Sequence, residues 1–375
     1  MEESIMTNLI QYRRDLHQMP EVARQEFKTS EYIGARLAKL NCQVEKVCGT
    51  GYTAFFDNGA PETIAFRGDM DALSIKEETG LPFASQNGCM HACGHDAHMA
   101  MMLGLCDYLN ENIGKYKFNV LAIFQPSEES IGGAKVICET GVLEKRHVTR
   151  VFGFHVWPKI PANAVGTVAG PMMAQASELT MTVHGKSAHC GRPDLGIDAL
   201  SAAADIIAEI NAMKKKEIPQ GVDYLLHFGA MEAGDAANII CEKAVVRGSV
   251  RAFDPKVYDF MVKRIDEISQ DAAQRYGAKV EVKLTTPYPP VNNDPALCEE
   301  YKKAMAQAGI QVVEAEKTVI AEDFSEYQLR CPGVFGWLGL GDVPSLHNNK
   351  FDFDESIMET GVKGFVALLD YFNQK

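Results

Sequence analysis

The sequence predicts an α/β protein of two domains, one built on a mixed, mostly parallel sheet and the other inserted into it. At 375 residues the chain exceeds the size at which a single hydrophobic core is usual. Its first part alternates continuous apolar runs with helical patterns, which is typical of a parallel sheet covered by helices. From about residue 178 apolar and polar residues alternate instead, which indicates strands with one wet face.

The apolar runs of the first part are short enough to be strands. Residues 63–66, 120–124 and 151–155 are predicted as strands buried on both faces. Residues 30–40 and 98–109 have the apolar spacing or content of helices that pack on such a sheet.

The second part has the predicted order strand, helix, strand, strand, helix, strand, which is the split βαβ arrangement of ferredoxin-like domains. These elements lie, in that order, at residues 178–184, 197–213, 224–228, 244–253, 255–276 and 279–284. A loop, MEAGDAAN, is predicted between the two middle strands. We assign residues 178–290 to this inserted domain and residues 1–177 and 291–375 to the first domain, with PYPPVNN as the returning linker.

Charge and segment patterns argue against several kinds of partner. The net charge is −13, and this acidic surplus disfavours nucleic acid and anionic membranes. No run approaches the roughly 18 apolar residues of a membrane span, and the first residues lack the pattern of a secretory signal. The ten cysteines are scattered, several of them in apolar segments, which indicates a reduced, cytoplasmic protein without a disulfide framework.

The stretch MHACGHDAHM is unusually rich in residues that bind metals. Cys93 and His95 offer a thiolate and an imidazole from a glycine-containing loop before a predicted helix, so both can reach one point. Taken alone, a Cys-x-His pair also arises by chance. His91 and His98 have the alternative interpretation of hydrogen-bonded core histidines.

Two adjacent carboxylates, Glu128 and Glu129, follow the predicted strand at residues 120–124. Parallel α/β sheets place their sites at the carboxyl ends of strands. Adjacent carboxylates are compatible at neutral pH when a cation or a proton lies between them, so one would bind a metal while the other handles protons. The alternative is a solvated pair in a surface loop.

Four further polar residues have both a structural and a functional interpretation. His155 ends another apolar strand, and His347 lies far along the chain in PSLHNNKFDFDE. Asp69 and Asp71 follow the strand at residues 63–66 and would orient histidines, bind metal or form a turn. Because loops after parallel strands converge at one edge, so many ligand types there favour a metal site over coincidence.

These motifs resemble, in order and over nearly the whole chain, those of the peptidase M20 family of metal-dependent hydrolases, and most closely its amidohydrolase branch. They are RGDMDAL, MHACGHDAHM, FQPSEESIGGA, FHVWP, GKSAH, AEDFSEY and LHNNKFDFDE. The resemblance implies two divalent transition-metal ions, with zinc, manganese, cobalt and nickel all compatible with the ligand types. It also implies that the inserted domain is a lid and a dimer interface, hence a homodimer.

The resemblance implies roles for single residues of the first domain. Glu128 would be the general base, and Asp71, with Asp69, would support the ligands from behind. The implied metal ligands, with the first of them bridging, are Cys93, His95, Glu129, His155 and His347.

In the inserted domain, the resemblance assigns His189 to the substrate carbonyl oxygen and Asn238 and Arg251 to the substrate carboxylate. The chain departs from the family pattern here. His189-Cys-Gly-Arg-Pro-Asp194 stands for His-Ala-x-x-Pro-His, and Asn238-Ile-Ile-Cys241 stands for Asn-x-Ile-Pro. These departures bear on substrate preference rather than on metal chemistry.

The predicted activity is metal-dependent hydrolysis of the amide bond of N-acyl (acetyl or aroyl) amino acids, which releases a carboxylate and the free amino acid. N-acetyldiaminopimelate is one candidate substrate, because DALSIKEETGLPFAS resembles those deacetylases, although hippurate hydrolases share much of it. The alternatives are a dipeptidase or carboxypeptidase of the same fold, or a catalytically silent metal-binding scaffold. The presence of Glu128 argues against the silent scaffold.

Overall fold

The computed structural model describes residues 3–130 and 132–375, with the side chains described from residue 8 onward. In chain order the helices and strands are α1 (Glu3–His17), α2 (Phe27–Leu37), β1 (Gln43–Val47), β2 (Gly51–Phe56), β3 (Thr63–Asp69), α3 (His95–Asn112), β4 (Asn119–Gln125), α4 (Gly133–Glu139), α5 (Val142–Lys145), β5 (Val148–Pro158), β6 (Ala164–Thr167), β7 (Gly170–Met173), β8 (Gln175–His184), α6 (Ala199–Lys216), β9 (Tyr224–Ala233), β10 (Lys243–Ala252), α7 (Pro255–Tyr276), β11 (Lys279–Leu284), β12 (Val291–Asn293), α8 (Pro295–Gln307), β13 (Gln311–Glu314), α9 (Ser325–Gln328), β14 (Gly333–Gly341) and α10 (Ile357–Asn373).

The described residues divide into two compact units. The first comprises the residues up to 172 together with 291–317 and 322–375, and the second comprises 173–290 and 318–321. The sequence-based boundaries placed residues 173–177 and 318–321 in the first domain, so the two divisions differ at these short segments.

An eight-stranded sheet forms the first unit, in the order β1-β2-β4-β3-β5-β14-β6-β13. The four central strands, β4, β3, β5 and β14, run parallel to one another, and antiparallel pairs lie towards the edges. Strands β3 and β4 are buried along their whole length. Strands that are buried on both faces require continuous apolar runs. The predicted mixed, mostly parallel α/β sheet is confirmed.

Helix α3 is buried along most of its length, because it packs against α1, α10 and β3. A helix covered on several sides needs apolar residues all round rather than one apolar stripe. This explains why the residues from Met99 to Cys106 are uniformly apolar or small. The packing of α3 on β3 also places His95, the first residue of α3, beside the end of β3.

The second unit contains a four-stranded antiparallel sheet in the order β11-β8-β10-β9, with α6 and α7 packed against it. Its chain order is strand, helix, strand, strand, helix, strand, so the predicted ferredoxin-like arrangement is confirmed. Its apolar core is a separate cluster that includes Met181, Ile206, Val246 and Ile265.

Two local predictions were wrong. The loop predicted to begin at residue 231 is strand as far as Ala233, because β9 pairs with β10 up to Ala233 opposite Ala244. This end of β9 is mostly exposed, so the pairing is made by the backbone and leaves little apolar signal. The returning linker contains β12, which pairs with β7.

Among the helices of the described residues, none combines the length and the apolar character that a membrane crossing needs. All ten cysteines have free thiols in the structure.

Candidate metal centre

The candidate site of the first unit lies where β3 and β4 end and where α3 begins. Asp69 is the last residue of β3, Gln125 is the last residue of β4, and His95 is the first residue of α3. Parallel pairing of β3 with β4 aligns Asp69 with Gln125, which brings the following loops to one edge of the sheet.

Three sequence-predicted ligands form one buried group. One ligand atom from each of Cys93, His95 and His155 lies within 4.8 Å of the others, and Cys93 Sγ is 3.4 Å from His155 Nε2. The ligand atoms of a tetrahedral zinc ion are about 3.5 Å apart, given its usual bond lengths. The separations are therefore compatible with one shared ion.

The two histidines of this group are held in the tautomer that a metal needs. His95 Nδ1 donates to the carbonyl oxygen of Asp71 at 2.9 Å, and His155 Nδ1 donates to the carbonyl oxygen of Val156 at 2.7 Å. A backbone carbonyl accepts only, so each Nδ1 carries a proton and each Nε2 keeps its lone pair when the ring is neutral.

A second group shares Cys93 with the first. One ligand atom each from Cys93, Glu129 and His347 lies within 4.8 Å of the others, and Glu129 Oε1 is 3.2 Å from His347 Nε2. His347 adopts a left-handed backbone, φ 62°, and its N–H donates to the carbonyl oxygen of Ala92 at 2.8 Å. A histidine seldom adopts this conformation, so the surrounding contacts hold it in place.

Two buried atoms of these groups, His95 Nε2 and Glu129 Oε1, make no well-formed hydrogen bond among the described residues, although Glu129 Oε1 lies in the ion pair with His347. They lie 3.9 Å apart. Buried polar atoms are nearly always satisfied, and a cation between this nitrogen and this oxygen would satisfy both. The residues therefore fit a metal, with Cys93 common to both groups.

Asp71 organises the glutamate loop. Its two carboxylate oxygens accept the N–H groups of Glu128 and Glu129, each at 3.0 Å. The same residue, through its carbonyl oxygen, orients His95. Asp71 thus fixes one histidine and the paired glutamates at once.

Asp69 and His98 form a hydrogen bond with each other, and His98 offers no free ring nitrogen to a metal. His98 Nε2 accepts the N–H of Val156 at 2.9 Å, so its Nδ1 carries the proton and donates to Asp69 Oδ1 at 2.5 Å. Both ring nitrogens are therefore used by the protein, and His98 is a hydrogen-bonded core histidine. His91 is buried as well, but within the described chain neither of its ring nitrogens has a hydrogen-bond partner.

A buried charge network next to Glu128 was missed by sequence reasoning. The fully buried Arg67 donates to Asp69 Oδ2 at 2.5 Å, to Glu322 Oε1 at 2.8 Å and to Asp323 Oδ1 at 2.8 Å. One carboxylate oxygen each from Glu128, Glu322 and Asp323 lies within 4.8 Å of the others. The available signal was an arginine directly after a strand predicted to be buried on both faces, since a charge there needs buried partners.

Protonation preferences separate the two adjacent glutamates. Burial, followed by the charge of Glu322, raises the pKa of Glu128 well above its usual range. Burial also opposes ionisation of Glu129, but its contact with His347 and the charge of His95 lower the pKa of Glu129 overall. Burial disfavours the charged form of His95, yet the carboxylate of Asp69 raises the pKa of His95 to about 10. A bound cation favours ionised carboxylates and neutral imidazoles instead.

The three remaining predicted residues belong to the second unit. His189 is exposed, and its Nδ1 accepts the N–H of Gly191 at 3.0 Å. Asn238 is also exposed, and its backbone carbonyl oxygen accepts the N–H of Cys190 at 3.0 Å. The chain around Asn238 therefore lies next to the chain around His189. Arg251 is already engaged, because its Nη1 donates to the carbonyl oxygen of Val319 at 2.9 Å.

Comparison with known proteins identifies relatives over almost the whole chain. Residues 65–371 match Peptidase family M20/M25/M40. The chain is 34% identical to the N-acetylcysteine deacetylase of Bacillus subtilis (strain 168) over 371 residues, which are 98% of this chain and 97% of that protein. It is also 34% identical to the N-acetyldiaminopimelate deacetylase of Leuconostoc mesenteroides over 380 residues, 99% of this chain and 97% of that protein.

Among solved structures, a Bacillus subtilis protein described as a dinuclear metal binding peptidase from the M20 family matches with a TM-score of 0.86 and 32% sequence identity. The match covers 100% of this chain and 99% of that chain.

Proposed function

The chain belongs to Peptidase family M20/M25/M40 and is a hydrolase that acts on amide bonds, and on that basis we propose that it deacylates N-acyl amino acids with two divalent metal ions. The observation that carries the metal dependence is the pair of ligand groups that share Cys93 and leave His95 Nε2 and Glu129 Oε1 without a well-formed hydrogen bond among the described residues. The names of the deacetylase relatives support the substrate class.

Five side chains would hold the ions: Cys93, His95, Glu129, His155 and His347. When bound, such ions polarise a carbonyl oxygen and lower the pKa of water towards neutrality. Zinc, manganese, cobalt and nickel are all compatible with thiolate, imidazole and carboxylate ligands.

Glu128 is the proposed general base. A carboxylate oxygen of Glu128 lies within 4.8 Å of ligand atoms of His95 and Glu129. Glu128 also lies beside Glu322, whose charge together with burial raises the pKa of Glu128. It would accept the proton of the attacking water and return that proton to the leaving amine, a cycle that needs one carboxylate to work in both protonation states.

The second unit would bind the substrate. His189 would donate to the carbonyl oxygen as negative charge develops there. Asn238 lies in the loop between β9 and β10, and Arg251 lies at the opposite end of β10, so the two would contact one substrate carboxylate only from different protomers of a dimer. The departures at residues 190–194 and at Cys241 bear on which N-acyl amino acid is preferred. A homodimer remains a prediction from family resemblance.

Metal analysis combined with a substrate panel tests this proposal. The panel contains N-acetylcysteine, N-acetyldiaminopimelate, hippurate and a set of unmodified dipeptides, assayed before and after chelation. We expect about two transition-metal ions per chain, cleavage of N-acyl amino acids that stops on chelation, and recovery when zinc, manganese or cobalt is added. Undiminished cleavage by the metal-free chain would refute the metal dependence, and a preference for dipeptides would refute the substrate class.

A further inference from the structure

We propose that Arg13 is a positioning residue: it ties together two ligand-bearing segments of the metal site and thereby sets metal affinity. The segments are the loop and first turn at residues 91–96 and the segment at residues 347–355. The inference rests on the proposed function and deepens it, because it names the element outside the site that keeps the ligands in register.

Arg13 lies on α1 and is buried, with 1% of its surface exposed. Its Nε donates to Asp96 Oδ2 at 3.2 Å, and its Nη2 donates to Asp352 Oδ1 at 2.8 Å. Its Nη1 lies 3.4 Å from Glu355 Oε1, and the guanidinium carbon lies 3.9 Å from the centre of the Phe353 ring. A buried guanidinium requires such partners, and here they come from two segments that are far apart in sequence.

Each segment carries a proposed ligand next to its contact with Arg13. Asp96 directly follows His95, and Asp352 lies five residues after His347. The segments also touch each other, because the N–H of His347 donates to the carbonyl oxygen of Ala92 at 2.8 Å. Arg13 contacts both segments, and the segments contact each other, so these contacts form a closed ring that includes His95 and His347.

The contact with Asp96 is reinforced by a second residue of α1. His17, one turn after Arg13, places Nδ1 2.7 Å from Asp96 Oδ2 and Nε2 3.1 Å from Glu77 Oε1. Asp96 is thus held by two side chains on one face of α1. Since its fork can bond two carboxylates with fixed geometry, an arginine suits this role better than a lysine.

Arg14 provides a matched control. It is adjacent, exposed, and pairs with Glu355 at 2.6 Å, so it shares one acidic partner with Arg13. Its guanidinium carbon also lies 5.0 Å from the centre of the Phe83 ring. Replacing Arg14 removes an ion pair to the same segment without touching the bond to Asp96.

The test compares zinc affinity, by competition with a chromophoric chelator, in the wild-type chain and in Arg13→Met, Arg13→Lys, Asp352→Asn and Arg14→Met. Loss of partners that orient metal ligands usually weakens metal binding 10–100-fold, so we expect about tenfold weaker binding for Arg13→Met. We expect a smaller loss for Arg13→Lys and Asp352→Asn, and unchanged affinity for Arg14→Met. Melting of the metal-free proteins is measured in parallel.

Asp352→Asn keeps the bond between Arg13 and Asp96, and the Asp352 side chain is 36% exposed, so this variant tests the idea if Arg13→Met does not fold. Weaker zinc binding by Asp352→Asn with unchanged melting of the metal-free chain would support positioning. Equal affinity of the Arg13, Asp352 and Arg14 variants and the wild type would overturn the inference and leave the proposed function intact. Absence of zinc binding by the wild type would overturn the proposed function and the inference together.

Discussion

Glu128 and Glu129 show at the scale of single residues how two chemically identical neighbours acquire different tasks. Asp71 accepts both of their N–H groups, so the backbone of the pair is fixed. From this fixed backbone Glu129 reaches His347, while Glu128 lies beside the buried carboxylates of Glu322 and Asp323. Both carboxylates thus lie within reach of His95, but of the two only Glu128 also lies beside carboxylates that favour its protonated form.

Replacing each glutamate by glutamine should separate these tasks. We expect Glu128→Gln to lower kcat by about 10²–10⁴-fold, the usual contribution of a general base, while metal content stays unchanged. We expect Glu129→Gln to lose metal, because the amide cannot supply an anionic ligand. Metal analysis and kinetics on the same preparations measure both effects. If Glu128→Gln turned over substrate at the wild-type rate, the assignment of the base would be wrong.

The site was predictable from sequence only in part. His95 and Glu129 belong to motifs whose residue types indicate metal binding. In the structure His95 Nε2 lies 3.9 Å from Glu129 Oε1. Arg67 follows a strand predicted to be buried and so needs buried partners, but nothing in the sequence indicates that one of them is Glu322, 255 residues away. Only burial, which the fold imposes, makes their charges depend on each other.

At the scale of elements, α1 was not predicted, although its apolar residues recur at helical spacing. Leu9 and Leu16 are fully buried, yet Arg13 and His17 are also buried on this helix. Leu9, Tyr12 and Leu16 follow the helical period, but the sequence does not show that two cations lie on the same buried face. The cations have partners on α3 and in the chain after β14, contacts that a local pattern cannot reveal.

The contact of α1 with α3 should make stability depend on pH. Burial disfavours protonated His17, but its contacts with Asp96 and Glu77 raise the pKa of His17 to about 9. The unfolded value is about 6.5, so the stabilisation is fully present below pH 6.5 and is lost as pH rises through 9. The shift corresponds to at most about 3 kcal/mol.

We therefore expect metal-free His17→Gln to be less stable than the wild type at pH 6, with the difference shrinking towards pH 9.5. Urea unfolding of both proteins across this range measures it, and exposed His227→Gln serves as the control. Comparison of the two proteins at each pH cancels the titration of groups remote from residue 17. Two other groups face His17 and keep their charge state across this range: Arg13 stays protonated, and burial lowers the pKa of His91 to about 3. A difference that stayed constant with pH would contradict a protonated His17.

At the scale of the whole molecule, the fold class was predictable because the two units have different patterns. Double-sided burial of β3 and β4 produces continuous apolar runs, and one-sided burial in β8 produces alternation. The short segment at residues 318–321 was not predictable. It joins the second unit because the N–H of Ala174 lies near the carbonyl oxygens of Thr318 and Ile320, a contact between distant residues that leaves no local signal.

This division has a consequence for metal removal, since all five proposed ligands lie in the first unit while the second unit has its own core. Chelation should therefore loosen the first unit locally and leave the second unchanged. We expect amide hydrogen exchange to become about tenfold faster, equivalent to about 1.4 kcal/mol, in residues 91–98 and 347–355, and to stay constant in β8, β10 and α7. Mass spectrometry of the full chain, with and without chelator and after zinc is restored, measures both units in one sample. Equal acceleration in both units would show that they open together, and no acceleration in either would show that these segments hold no metal.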